Sequence, residues 1–291
     1  MKAKPAADSN TTQSPSIAAA AAATYGIDAW SRGYFRVSQA GTIEALPERD
    51  ASQAIDLHEI VQGLDSRGLA APVLLRFDGI LRDRLRRIRE SFDAAIANES
   101  FGGAYTGLYP IKVNQQRHVC EAIRDEGQRL GFGLEAGSKP ELWAVLGLTA
   151  ATGPGSMPIV CNGFKDDEYI ETVVLATKLG RRVIPVIEQP HELDLIIRHA
   201  EAYGVRQPIG VRIKPAASGS GRWASSAGTS AKFGLSATEL LEAVDLLKQH
   251  GLEDTLEMVH FHVGSQISDI RQFKTALSEL ARIYAELVSL G

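Results

Sequence analysis

Short apolar runs alternate with longer amphipathic stretches from about residue 72 onward. The runs are Pro72–Phe77, Tyr105–Val113, Gly131–Glu135, Pro158–Cys161, Arg182–Ile187, Pro208–Lys214 and Glu257–Val263. Helical spacing of apolar residues marks Ile80–Ala97, Arg117–Leu130, Lys139–Leu146, Asp166–Leu179, Pro190–Tyr203, Thr238–Gln249 and Asp269–Leu290. Strands that alternate with helices in this way predict parallel βαβ units. The punctuation agrees: Pro140 sits near a first helical turn, Ser268 stands where an N-cap belongs, and Gly180, Gly204 and Gly251 follow helices, the positions these residues favour.

Two α/β architectures suit this beat, a (β/α)8 TIM-type barrel and an open doubly wound sheet. An open sheet usually carries a phosphate loop directly after its first strand. The nearest match, Gly219-Ser220-Gly221-Arg222-Trp223-Ala224, lies in a long Ser/Gly/Ala loop and opens no helix at once. The barrel is therefore preferred, and counted from Tyr105 it is incomplete, with about six of eight units. Residues 71–291 form this partial barrel. Residues 25–70, with aromatic-bearing runs such as Tyr34-Phe35-Arg36-Val37, are expected to be a β-rich segment of a second domain. Residues 1–24, rich in Ser, Thr, Asn and then Ala, are expected to be a disordered tail.

Composition narrows the picture. The chain has 291 residues and a net charge of −4, which gives no ground for a nucleic-acid or anionic-membrane surface. The arginines at 82, 84, 86, 87 and 89 alternate with Asp83, Glu90 and Asp93, as on a solvated helix face. Two cysteines, Cys120 and Cys161, lie far apart and indicate neither a disulfide framework nor a zinc site. No apolar run reaches the roughly 18–20 residues of a membrane span, and Ile17–Ala23 lacks the features of a secretory leader. A cytoplasmic protein is expected.

In a barrel, chemistry gathers at the carboxyl ends of the strands. Read so, Lys112, Glu135, Asn162, Arg212 and His262 end successive strands, and His260 shares a face with His262. Lys112 lies in the apolar run Tyr109-Pro110-Ile111-Lys112-Val113-Asn114. A lysine buried there would have a depressed pKa and could attack a carbonyl to form a Schiff base; equally, its stem could lie along the strand with its head in water. Arg212 could pair with Glu135, Glu135 could serve a helix N-terminus, and the two histidines could be structural or bind a metal. Joint occurrence of Lys, Glu, Arg, His and Gly264-Ser265 suits an aldehyde cofactor bearing a phosphate.

Several separated blocks are similar to those of the biosynthetic arginine decarboxylases, pyridoxal-phosphate enzymes with an alanine-racemase-like barrel. They are Tyr109–Gln115 (YPIKVNQ), Gly133–Lys139 (GLEAGSK), Val160–Asp166 (VCNGFKD) and His260–Gln266 (HFHVGSQ). Gly219–Trp223, Ser230–Leu235 and Tyr25–Val37 carry the same resemblance, which covers residues 25–291. Ornithine and diaminopimelate decarboxylases share the lysine and the H-x-G-S block, without the long amino-terminal segment or the Cys-Asn-Gly-Phe-Lys-Asp run.

The resemblance implies decarboxylation of L-arginine to agmatine and carbon dioxide, for polyamine synthesis. It implies pyridoxal 5'-phosphate as a Schiff base on Lys112, His262 stacked on its ring, Ser265 on its phosphate, and Glu135 and Arg212 lining the cofactor site. Pro215–Lys232 would cover that site. Magnesium and a homo-oligomeric full-length form are further family expectations, with metal ligands unassigned. The alternatives are a related decarboxylase of diaminopimelate or another basic amino acid, and a non-catalytic homologue that binds the cofactor. The family's glycine-rich phosphate loop, ring-nitrogen acid, catalytic cysteine and β domain are expected beyond residue 291. The chain alone is accordingly expected to fold poorly and to lack activity.

Overall fold

The computed structural model describes residues 16–153, 157–214, 232–264 and 269–290. It divides into two compact units, Met1–Ser91 and Phe92–Gly291.

Of the stretch expected as a disordered tail, residues 1–15 lie outside the described residues and Ile17–Thr24 forms helix α1. Alanine is the best helix former, and Ser16 Oγ accepts a hydrogen bond from Ala19 N at 3.2 Å, capping the orphan donors of the first turn. Helix α2 (Ile27–Ser31) follows, then strands β1 (Phe35–Val37), β2 (Ile43–Ala45) and β3 (Ile55–Asp56), and helix α3 (Leu57–Asp65). The strands form an antiparallel sheet in the order β1-β2-β3, the β-rich segment expected of this stretch, and Asp56 ends β3 by capping α3 through the amides of His58 and Glu59. The first compact unit runs to Ser91. Helix α4 (Asp78–Asn98) starts against this unit: Tyr34 Oη donates to Asp83, Arg86 pairs with Glu48 at 2.9 Å, and a Cβ on Gly79 would stand 2.7 Å from Pro47. Pro72–Phe77 forms no strand.

The second unit carries β4 (Leu108–Pro110), α5 (Arg117–Leu130), β5 (Gly133–Ala136), α6 (Lys139–Leu148), β6 (Ile159–Cys161), α7 (Asp167–Lys178), β7 (Val183–Ile187), α8 (Pro190–Tyr203), β8 (Ile209–Arg212), α9 (Ala237–Gln249), β9 (Leu256–His260) and α10 (Ile270–Ser289). Its six strands pair in parallel in chain order. Each crossover thus moves one strand in the same direction, and right-handed crossovers then put every helix on one face. A doubly wound sheet would reverse its order; this one does not, and it follows barrel winding through six units.

Strand parity separates two layers. Ile187, Ile209 and Val211 pack outward with Leu193, Ile196, Ile197, Leu240 and Leu247 of α8 and α9. Val160, Ile184, Val186 and Met258 form the inner layer. Registry links Glu135 to Val160, Val160 to Ile184, Val186 to Gly210, Gly210 to Met258 and Arg212 to His260. Glu135, Arg212 and His260 therefore share the inner face. An irregularity between Ile209 and Gly210 in the β8–β9 pairing absorbs one extra residue, so that Met258 rather than Glu257 faces Gly210. A Cβ on Gly210 would stand 3.2 Å from Met258 and 3.3 Å from Val186, which shows how closely this layer is filled.

Candidate active site

The carboxyl ends of all six parallel strands contribute to one polar cluster. Lys112 lies one turn past β4, in the 3-10 segment Ile111–Val113. It is not the buried amine that its apolar neighbours imply: 59% of its side-chain surface is exposed, whereas Glu135, whose Oε1 lies 3.6 Å from Lys112 Nζ, is 7% exposed. The strand ends at Pro110, so the lysine stem leaves the sheet instead of running along it.

Glu135 Oε1 also accepts from Asn162 Nδ2 at 3.0 Å. Two loop backbones meet beside this pair. Gly163 has φ +80°, and a Cβ there would stand 2.2 Å from Gly137 O; the position requires glycine on both counts. Gly137 N donates to Glu141 Oε2 at 2.6 Å.

Arg212 does not pair with Glu135. Its Nη1 donates to Glu188 Oε1 at 2.7 Å, and Glu188 is only 1% exposed. Glu188 follows β7 on the parity of Val186, so both charged residues share the inner face. Gly234 N donates to Glu188 O and Leu235 N to Arg212 O, tying the chain before α9 to both strand ends.

The histidines separate in role. β9 ends at His260, so His262 lies in the loop beyond instead of ending the strand. Burial, followed by the positive charges of Arg212 and Lys112, holds the His262 pKa below the ordinary imidazole value. Burial pushes His260 further, down to about 4, so at neutral pH both rings are uncharged. Ser265, Ser268, the Gly219–Ala224 match and nearly all of Pro215–Lys232 lie outside the described residues.

Four buried polar atoms of this rim have no hydrogen-bond partner among the described residues: Glu135 Oε2, Asn162 Oδ1, Glu188 Oε2 and His260 Nδ1. Buried polar atoms are nearly always satisfied, so the cluster has capacity for a polar ligand. The same described residues contain no group of three or more His, Cys, Asp or Glu able to hold a metal ion.

Residues 85–291 match the model for the pyridoxal binding domain of the pyridoxal-dependent decarboxylases. The chain belongs to that family. The biosynthetic arginine decarboxylase of Rhodopirellula baltica is 53% identical to it over 93% of this chain and 40% of its own length. Among solved structures, the biosynthetic arginine decarboxylase SpeA from Campylobacter jejuni superposes with a TM-score of 0.80 at 34% identity, over 92% of this chain and 42% of that one. Diaminopimelate decarboxylase from Helicobacter pylori, complexed with L-lysine, gives 0.53 at 26% identity, over 70% of this chain and 49% of its own. This pyridoxal-dependent decarboxylase chain thus spans about two fifths of the length of the arginine decarboxylases it matches.

Several residues that organise this rim escape a reading of strand ends. Glu188 stands directly after the apolar run Arg182–Ile187, and a carboxylate there was a legible signal. Lys165 and Glu192, each with no exposed side-chain surface, form a buried ion pair at 3.3 Å; nothing in their local sequence distinguishes them from surface charges.

Proposed function

We propose that this chain is the pyridoxal-phosphate-binding part of an arginine decarboxylase, which converts L-arginine to agmatine and carbon dioxide. The observation that carries the reading is the convergence of Lys112, Glu135, Arg212 and His262 on one strand-end rim with four buried polar atoms that have no partner among the described residues. The high identity to the Rhodopirellula enzyme supports the substrate.

The residues fit the cofactor. Lys112 offers the amine that would hold its aldehyde carbon, and exposure leaves that amine open to attack and exchange. Glu135 Oε1 stands 3.6 Å from Lys112 Nζ and presents a carboxylate to that amine, with Asn162 fixing its orientation. His262, neutral near pH 7, gives a flat face for ring stacking without adding a repelling charge. Glu188 fixes Arg212, which lines the site as a directed donor. Ser265 is assigned to the phosphate. When bound, the cofactor supplies an electron sink for the pair released as carbon dioxide leaves. A proton must then reach the former α-carbon, and Lys112 is the exchanging amine of this rim. The substrate guanidinium calls for a carboxylate partner, and we assign that task to no residue of this chain. Nor does magnesium receive ligands here. The working enzyme is read as a cytoplasmic homo-oligomer.

The test is borohydride reduction of the full-length protein with pyridoxal 5'-phosphate, followed by peptide mapping, and turnover with arginine, ornithine and diaminopimelate. Label on the Lys112 peptide with agmatine from arginine is expected. Label elsewhere overturns the site; preferential turnover of diaminopimelate overturns the substrate.

A further inference from the structure

Two fully buried charged side chains among the described residues of the second unit belong to neither strand-end pair. Lys165 follows β6 in the loop Asn162–Asp166, and Glu192 lies in the first turn of α8; both side chains are 0% exposed. Two charges removed from water carry a large desolvation penalty, which only dense hydrogen bonding offsets.

That bonding is directed at the rim. Lys165 Nζ donates to Gly163 O at 2.8 Å, to Val186 O, and to Glu192 Oε2 at 3.3 Å. Glu192 Oε1 accepts from Lys165 N at 3.0 Å, and its Oε2 accepts from Glu188 N at 2.8 Å. One carboxylate thus holds the backbone that follows β6 and the backbone that follows β7. The first loop carries Asn162, which orients Glu135 toward Lys112; the second carries Glu188, which orients Arg212.

Resting on the cofactor site described above, we propose that Lys165 and Glu192 are positioning residues: the buried pair locks the two strand-end loops so that Asn162 and Glu188 stand ready before the cofactor arrives. Neither touches the ligand. A purely stabilising pair would be dispensable once replaced by apolar groups of similar volume, since such replacement is often neutral or stabilising. A positioning pair would not, because the amides of Lys165 and Glu188 would lose their acceptor and the loops would have to order on binding.

The experiment compares full-length wild type with the double variant Lys165→Met/Glu192→Leu. Thermal unfolding and the dissociation constant for pyridoxal 5'-phosphate, read from its visible absorbance, are measured on both. The expected result is binding weakened about tenfold, the size of an ordering cost for one or two side chains, in a variant that still unfolds cooperatively but at a lower temperature, because two buried amides lose their acceptor. Equal affinity in a folded double variant overturns the proposal. Hydrogen exchange on cofactor-free wild type gives a second reading, independent of whether the variant folds: the amides of Lys165 and Glu188 are expected to be strongly protected, and exchange as fast as that of exposed loops overturns the preorganised lock. Lys112→Ala separates the two hypotheses. It is expected to abolish borohydride trapping and leave this amide protection unchanged, so a missing cofactor sinks the functional reading while protection alone decides the positioning role.

Discussion

Glu188 Oε1 accepts a 2.7 Å hydrogen bond from Arg212 Nη1, joining the ends of neighbouring strands through a carboxylate that is almost wholly buried. The arginine is therefore held by a residue 24 positions away, and Glu135 remains available to Lys112. Removing one member of a buried pair strands the other charge. Glu188→Ala is expected to cost about 3–5 kcal/mol and to weaken cofactor binding, measured by denaturant unfolding and by absorbance titration. A loss below about 1 kcal/mol, the range of exposed pairs, would mean that Arg212 is solvated.

Lys112→Ala makes the opposite pattern. The lysine is well exposed, so its pair with Glu135 is worth at most about 1 kcal/mol. The melting temperature is expected to stay near that of wild type while borohydride trapping of pyridoxal 5'-phosphate disappears. Persistent trapping would remove Lys112 from its assigned role.

Gly163→Ala tests the loop contact beside Glu135. The new Cβ would stand 2.2 Å from Gly137 O on a backbone of φ +80°. Left-handed backbone alone costs about 1–3 kcal/mol in a residue that is not glycine, and the clash adds to it. A lowered unfolding midpoint is expected, with weaker cofactor binding because Asn162 moves with the loop. An unchanged midpoint would show that the loops can separate freely.

His260 sets a pH dependence. Its pKa falls from an ordinary 6.5 to about 4 on folding, mainly through burial. The unfolded chain therefore binds more protons between those values, and stability rises with pH across that window. Its contribution is intact above pH 6.5 and is lost as pH falls toward 4, to a total on the order of 3 kcal/mol. His262 shifts in the same direction and adds to the slope. His260→Gln is expected to flatten the stability difference between pH 7 and pH 4.5 in denaturant titrations. An equally steep profile in the variant would assign the acid sensitivity elsewhere.

The sequence by itself determined the periodic elements and the rim chemistry. Helices α5 and α8 span Arg117–Leu130 and Pro190–Tyr203, the limits their hydrophobic spacing predicts, because helical amphipathicity and terminal glycines are local signals. Strand ends were legible for the same reason to within two residues: Glu135 and Arg212 lie on β5 and β8, while Lys112 and His262 follow the ends of β4 and β9. Tertiary structure alone decided who pairs with whom. Side-chain partners across parallel strands depend on register and on the irregularity beside Gly210, which no local window contains, so Glu188 rather than Glu135 took Arg212. Burial was likewise decided in three dimensions: Lys112, amid apolar neighbours, is exposed because its strand stops at Pro110, while Lys165, next to Asp166 and Asp167, is sealed where two loops and a helix start converge.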